Sequence, residues 1–137
     1  MASSDERYVP RPQAEIETVP FTSAEEAWFW FIQAQSARND GARFVMGRGP
    51  VPRPCEPVDI LKVLDRLRRQ RRLLMEHLLV LRHYGRRLMP PDPKRPKEMQ
   101  AHKLWHEALE RIEAVMERKG IVRRNAFDWV ALPEAAE

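Results

Sequence analysis

The sequence predicts an all-α fold, one bundle of three to four helices joined by proline-rich connectors, and three observations predict it. Apolar residues recur with helical period through residues 58–67, 74–84 and 101–116. No stretch of useful length shows the period-two alternation of a strand, and no segment repeats at a fixed interval. Prolines gather in connectors, around residues 10–20, 50–57 and 90–96, and stay out of the apolar runs. A chain of 137 residues, 43% hydrophobic and 32% charged, has the length and composition of one globular domain.

The elements follow in order. Residues 1–21, with Pro10, Pro12 and Pro20 and few apolar positions, are expected to form a flexible arm before a helical domain of residues 22–122. Ser23 and Glu26 have capping-box spacing, repeated by Thr22 and Glu25, with Phe21 placed as a hydrophobic staple, so a first helix should run from Ser23 to Arg38. Asn39-Asp40-Gly41 then supplies a stop, and residues 42–56, rich in Gly and Pro, should form an extended strap. Pro57 suits a first helical position, and Val58, Ile60, Leu61, Leu64 and Leu67 keep helical period after it. The period resumes at Leu74, Leu78 and Leu81 and lasts to Gly85, which reads as a helix end. Residues 57–84 form either one long helix or two antiparallel ones, the second option burying more leucine. After the connector Pro90-Pro91-Asp92-Pro93, a last helix should span 96–119, with Leu104, Trp105, Ala108, Leu109, Ile112, Val115 and Met116 on one face. Gly120 and Ile121 fit a Schellman ending against Met116, before a tail of residues 123–137 that carries Phe127, Trp129, Val130 and Leu132. That tail either docks back on the bundle or offers an aromatic motif to another protein.

Charge is distributed unevenly. Residues 57–124 hold eighteen Lys or Arg against nine acids, while the chain as a whole is only +4. Between residues 66 and 87 stand eight arginines and one acid, Glu76. Arginine without carboxylates suits phosphate, because its planar fork donates two hydrogen bonds and keeps its charge at every relevant pH. Arg68, Arg69, Arg71, Arg72, Arg82, Arg86 and Arg87 are therefore candidate nucleic-acid contacts, with Arg68, Arg71 and Arg72 expected on one side and Arg82 and Arg86 on another. An ordinary solvated face and the docking of an acidic protein surface are the competing readings.

The leucine-rich segment ending in His83-Tyr84-Gly85, a connector, and Leu104-Trp105-His106-Glu107-Ala108-Leu109-Glu110-Arg111-Ile112 resemble the C-terminal half of phage-type helix-turn-helix regulators and the DNA-binding region of sigma factors. The resemblance spans about residues 58–116 and rests mostly on packing residues. It implies a DNA-binding transcription regulator with Lys94, Arg95, Lys97, Gln100 and Lys103 facing the groove or the phosphates. The connection from Arg86 to Arg95 departs from the three or four residues of such a turn.

Other chemistry is thinly supported. His102 and His106 lie one helical turn apart with Glu98 and Glu110 a turn to either side, but two histidines make half a closed metal site and Lys103 stands where a metalloprotease would need glutamate, so no metal is expected. No phosphate loop, nucleophile elbow or apolar carboxylate pair is present, so neither an enzyme, a cofactor nor a small-molecule substrate is expected. The single cysteine, Cys55, is expected to be structural. Trp28, Phe29, Trp30 and Phe31 put bulk on every side of the first helix, which makes it either central to the core or a homodimer interface and opens an adaptor reading without nucleic acid. No apolar run spans a bilayer and residues 1–7 do not resemble a signal peptide, so a cytoplasmic location is expected.

Overall fold

A computed structural model describes residues 17–39 and 51–124. Among these residues the fold is all-α: α1 (Ala24–Asn39), α2 (Pro57–Arg69), α3 (Met75–Arg86), a 3-10 turn (Pro96–Glu98) and α4 (Met99–Arg118). Residues 57–86 make two helices, but α2 and α3 do not pack against each other as an antiparallel pair; both lie on α1 and α4, which also touch. Leu64, Leu67, Leu73 and Leu81 are buried in this arrangement, while Leu61, Leu74 and Leu79 stay exposed. Ile60, Val63, Leu64 and Leu67 of α2 and Leu81 of α3 meet Ala108, Leu109, Ile112 and Val115 of α4 in one core.

Half of the expected capping box forms, the Glu26 amide donating to Ser23 Oγ at 3.1 Å, while the returning bond to the Glu26 carboxylate comes from the residue before Ser23. The Glu26 carboxylate accepts from the Thr22 amide, at 2.8 Å, and Glu113 of α4 accepts from the Ala24 amide at 2.8 Å. The first turn of α1 is thus satisfied partly from across the bundle.

All three helix ends after α1 are Schellman turns. In α4, the Ile121 amide donates to the Met116 carbonyl and the Gly120 amide to that of Glu117, with Gly120 at φ 79°. In α2, Arg72 donates to Leu67 and Arg71 to Arg68, with Arg71 at φ 61°. In α3, Met89 donates to Tyr84 and Leu88 to Gly85, with Leu88 at φ 52°. Gly85 therefore does not end its helix. It is buried inside α3, where a Cβ would stand 2.7 Å from Trp28 Nε1 and 3.1 Å from Ile32, and its role is to let α1 approach.

The arm is fixed at its end. Phe21 is fully buried, pairs with Val122 in an isolated parallel bridge, and stacks obliquely on Trp30 at 5.2 Å. The Phe21 amide donates to Ile121 and its carbonyl accepts from Arg123, so the flexible reading of residues 17–21 is corrected by this clasp. Val19 donates to the Pro52 carbonyl, and Arg53 sits over the Phe21 ring, which places residues 51–56 of the strap against the same end. Residues 1–16, 40–50 and 125–137, with the rest of the expected arm, strap and tail, lie outside the described residues.

The aromatic cluster is accounted for within one chain. Trp28, Trp30 and Phe31 are buried in the core, and half-buried Phe29 packs on Trp105 of α4 at 5.6 Å between centroids. Phe21 before the helix and three neighbouring helices surround α1, so no second copy is needed to cover these rings.

Candidate nucleic-acid interface

The candidate arginines fall into two groups towards opposite ends of α3, whose twelve residues span about 18 Å. Arg68 and Arg69 close α2, and Arg71 and Arg72 form the turn into α3. Arg71 and Arg72 are not helical, so the shared helical side expected for Arg68, Arg71 and Arg72 is replaced by a compact exposed knuckle. Two contacts pin that knuckle: Leu73 is buried behind it, and Arg111 of α4 donates to the Arg72 carbonyl at 3.0 Å.

The second group gathers because α3 and α4 run antiparallel, with His77 bonded to Glu107 near one end and Tyr84 edge-on to Trp105 towards the other. The end of α3, with Arg82, Arg86 and Arg87, is thereby set beside the start of α4, with Gln100 and Lys103 exposed on its first turns and Lys97 exposed in the 3-10 turn before it. The nine residues from Arg87 to Arg95 connect the two. Arg95 is engaged locally, 3.9 Å from Asp92 and 3.5 Å from Glu98, and the Lys94 amide donates to Asp92. Arg87 reaches His83 at 3.5 Å.

Most arginines of this face lack an acidic partner, Arg69 and Arg95 being the exceptions. Among the described residues, Arg53, Arg69, Arg95 and Arg124 make ion pairs with carboxylates. Arg68, Arg71, Arg72, Arg82 and Arg86 are exposed and have no carboxylate within ion-pair distance among those residues. Met75 and Leu79 also stand exposed on the α3 surface between the two groups.

Behind this face lies a polar fixture that the sequence reading missed. His77 is buried, accepts from the Leu74 amide through Nδ1 at 3.0 Å, and donates from Nε2 to Glu107 at 3.1 Å. It caps α3 and ties it to α4 together. The hydrogen bond from His77 holds the Glu107 carboxyl below its ordinary value of 4.5, with Arg111 and Lys103 acting in the same direction. Its only sequence signal is a histidine three residues into a helix with no better cap.

A groove of about 550 Å³ opens beside Arg82 and Arg86, between α1, α2 and α3. Its apolar wall is Trp28, Phe31, Ile32 and Leu61, and its rim adds Gln35, Ser36 and Asn39. The Trp28 indole donates to the Leu81 carbonyl at 2.9 Å, which fixes the floor.

The remaining candidates stay apart from this face. His102 and His106 have ring centroids 6.4 Å apart, and among the described residues no group of three or more His, Cys, Asp or Glu is placed to hold a metal. Burial, then Asp59 and Glu56, push the Cys55 thiol up to about 11, so it is protonated at neutral pH and a poor nucleophile. No helix among the described residues is long and apolar enough to cross a membrane. Compared with known protein families, curated proteins and solved structures, the chain matches none.

Proposed function

We propose that this chain is a small helical regulator that binds nucleic acid by its phosphates, using the Arg68–Arg72 knuckle and the Arg82, Arg86 and Arg87 end of α3 together. The observation that carries the reading is the crowding of Arg68, Arg71, Arg72, Arg82 and Arg86, all exposed and without a carboxylate partner among the described residues, into nineteen residues of sequence. An unneutralised cluster of guanidinium groups gains most from an anion that brings several charges at once.

The length of α3, about 18 Å, equals the axial rise of about five base pairs of B-form duplex, so both groups can lie along one duplex. Lys97, Gln100 and Lys103 flank the second group, where Gln100 or Lys97 would be within reach of a base edge and Lys94 and Lys103 would meet phosphate. Arg95, held by Asp92 and Glu98, is assigned to positioning the connector.

Fluorescence anisotropy against a mixed-sequence duplex at 50 and 200 mM salt tests the proposal. Binding should weaken at least tenfold over that range, and replacing Arg68, Arg69, Arg71 and Arg72 together by Ser should weaken it at least about a hundredfold with the far-ultraviolet circular dichroism unchanged. Equal affinity of the folded quadruple variant would sink the reading and leave the arginines to an acidic protein surface.

A further inference from the structure

The groove between α1, α2 and α3 is bounded on one side by two arginines that nothing in the described fold neutralises, and on the other by apolar surface. Leu61 on its α2 wall is 44% exposed, and Ile32 on α1 is half-buried. Arg82 and Arg86, one helical turn apart on α3, line the opposite wall. A segment that fits must be apolar along one side, acidic along another, and free of basic residues.

Residues 125–137 have that chemistry. They hold Phe127, Trp129, Val130 and Leu132, three acids, Asp128, Glu134 and Glu137, and no Lys or Arg. They are also within reach. Arg124 is anchored to Glu113 and Glu117 near the first turn of α1, and Glu113 itself caps that turn. From Ala24 to Ile32 the helix rises about 12 Å and to Asn39 about 22 Å. An extended chain reaches about 16 Å from Arg124 to Trp129 and about 26 Å to Leu132, so the aromatic part of the segment can lie beside the second half of α1.

We infer that the groove is the docking site for residues 125–137 of the same molecule, with apolar side chains against Ile32 and Leu61 and carboxylates on Arg82 and Arg86. The inference stands independently of nucleic-acid binding, since its test contains no nucleic acid. If both hold, the segment occupies two of the proposed phosphate contacts and competes for them.

The test uses the full chain with Phe127, Trp129, Val130 and Leu132 replaced by Ser, and a fluorescein-labelled peptide of residues 125–137. The serine-tail chain should bind the peptide, and the wild-type chain should bind it about tenfold more weakly because its own segment is present at millimolar effective concentration. Adding Arg82→Glu and Arg86→Glu to the serine-tail chain should lower peptide binding at least tenfold. Hydrogen exchange gives a second readout that needs no groove variant: amides in the second half of α1 should exchange more slowly in the wild-type chain than in the serine-tail chain. No peptide binding up to 1 mM, equal binding by both chains, or equal exchange would overturn the proposal. A dimer that the serine tail dissolves, seen by mass in solution, would also overturn it by assigning the groove to the tail of a second copy.

Discussion

The ends of α2 and α4 are built to the same plan from different residues. Each closes with the two backbone bonds of a Schellman turn, a left-handed residue, and a buried aliphatic side chain after it: Leu73 for α2, Ile121 for α4. In α4 the left-handed position is Gly120, where it costs no Cβ contact. In α2 it is Arg71, for which the conformation costs about 1–2 kcal/mol. The α4 end joins the clasp with Phe21, while the α2 end presents four arginines to solvent. What sets the backbone in both cases is the buried residue and the hydrogen bonds, and the side chain at the turn is then free to serve another purpose.

Five substitutions probe that contrast. The largest effect should come from the buried anchors: Leu73→Ala and Ile121→Ala should each destabilise by about 3 kcal/mol in urea unfolding, and a much smaller loss at Leu73 would mean that the α2 turn is not held from behind. Gly85→Val comes next, at about 2–3 kcal/mol, because the new side chain must displace Trp28 and Ile32; the same experiment should show altered tryptophan emission. The two left-handed positions should then give opposite signs. Gly120→Ala, with open space around the Cβ, should cost about 1 kcal/mol through the backbone alone. Arg71→Gly should stabilise by about 0.5–1 kcal/mol, since relief of the strain exceeds the extra unfolded-state entropy of glycine, while duplex binding weakens.

The smallest effect is a pH dependence. The Glu107 carboxyl is lowered in the folded chain, so its contribution to stability is present above about 4.5 and is lost as pH falls through the folded value. Urea midpoints at pH 6 and pH 3 should therefore drop further for the wild type than for Glu107→Gln. Equal drops would detach Glu107 from His77.

Signals of local chemistry were legible in the sequence. The Ser23 cap on the Glu26 amide, Pro57 at a helix start, and the Gly120–Ile121 ending all sit where spacing placed them, because each depends on residues within a few positions of one another. The endings at Arg71 and Leu88 were not legible, since neither residue favours left-handed backbone; the turn bonds set both, and Leu73 and Arg111 add to the first. Gly85 misled for the complementary reason: a glycine needed for close approach has the same letter as a glycine that stops a helix. The arginines of the candidate face were found by composition alone. Their division between two ends of α3 follows from α2 and α3 each packing on α1 and α4 but not on each other, and nothing local encodes that. The same holds for the groove, which three separate helices form, and for His77, whose partner is thirty residues away.

The Phe21–Val122 bridge brings the segments on either side of the four described helices together at one pole. A short peptide joining the segments beyond them would cost little closure entropy, so the chain is a natural subject for circular permutation. New ends opened between Gln70 and Arg71 would leave the four helices connected while untying the knuckle, and would separate the contribution of its shape from that of its charge.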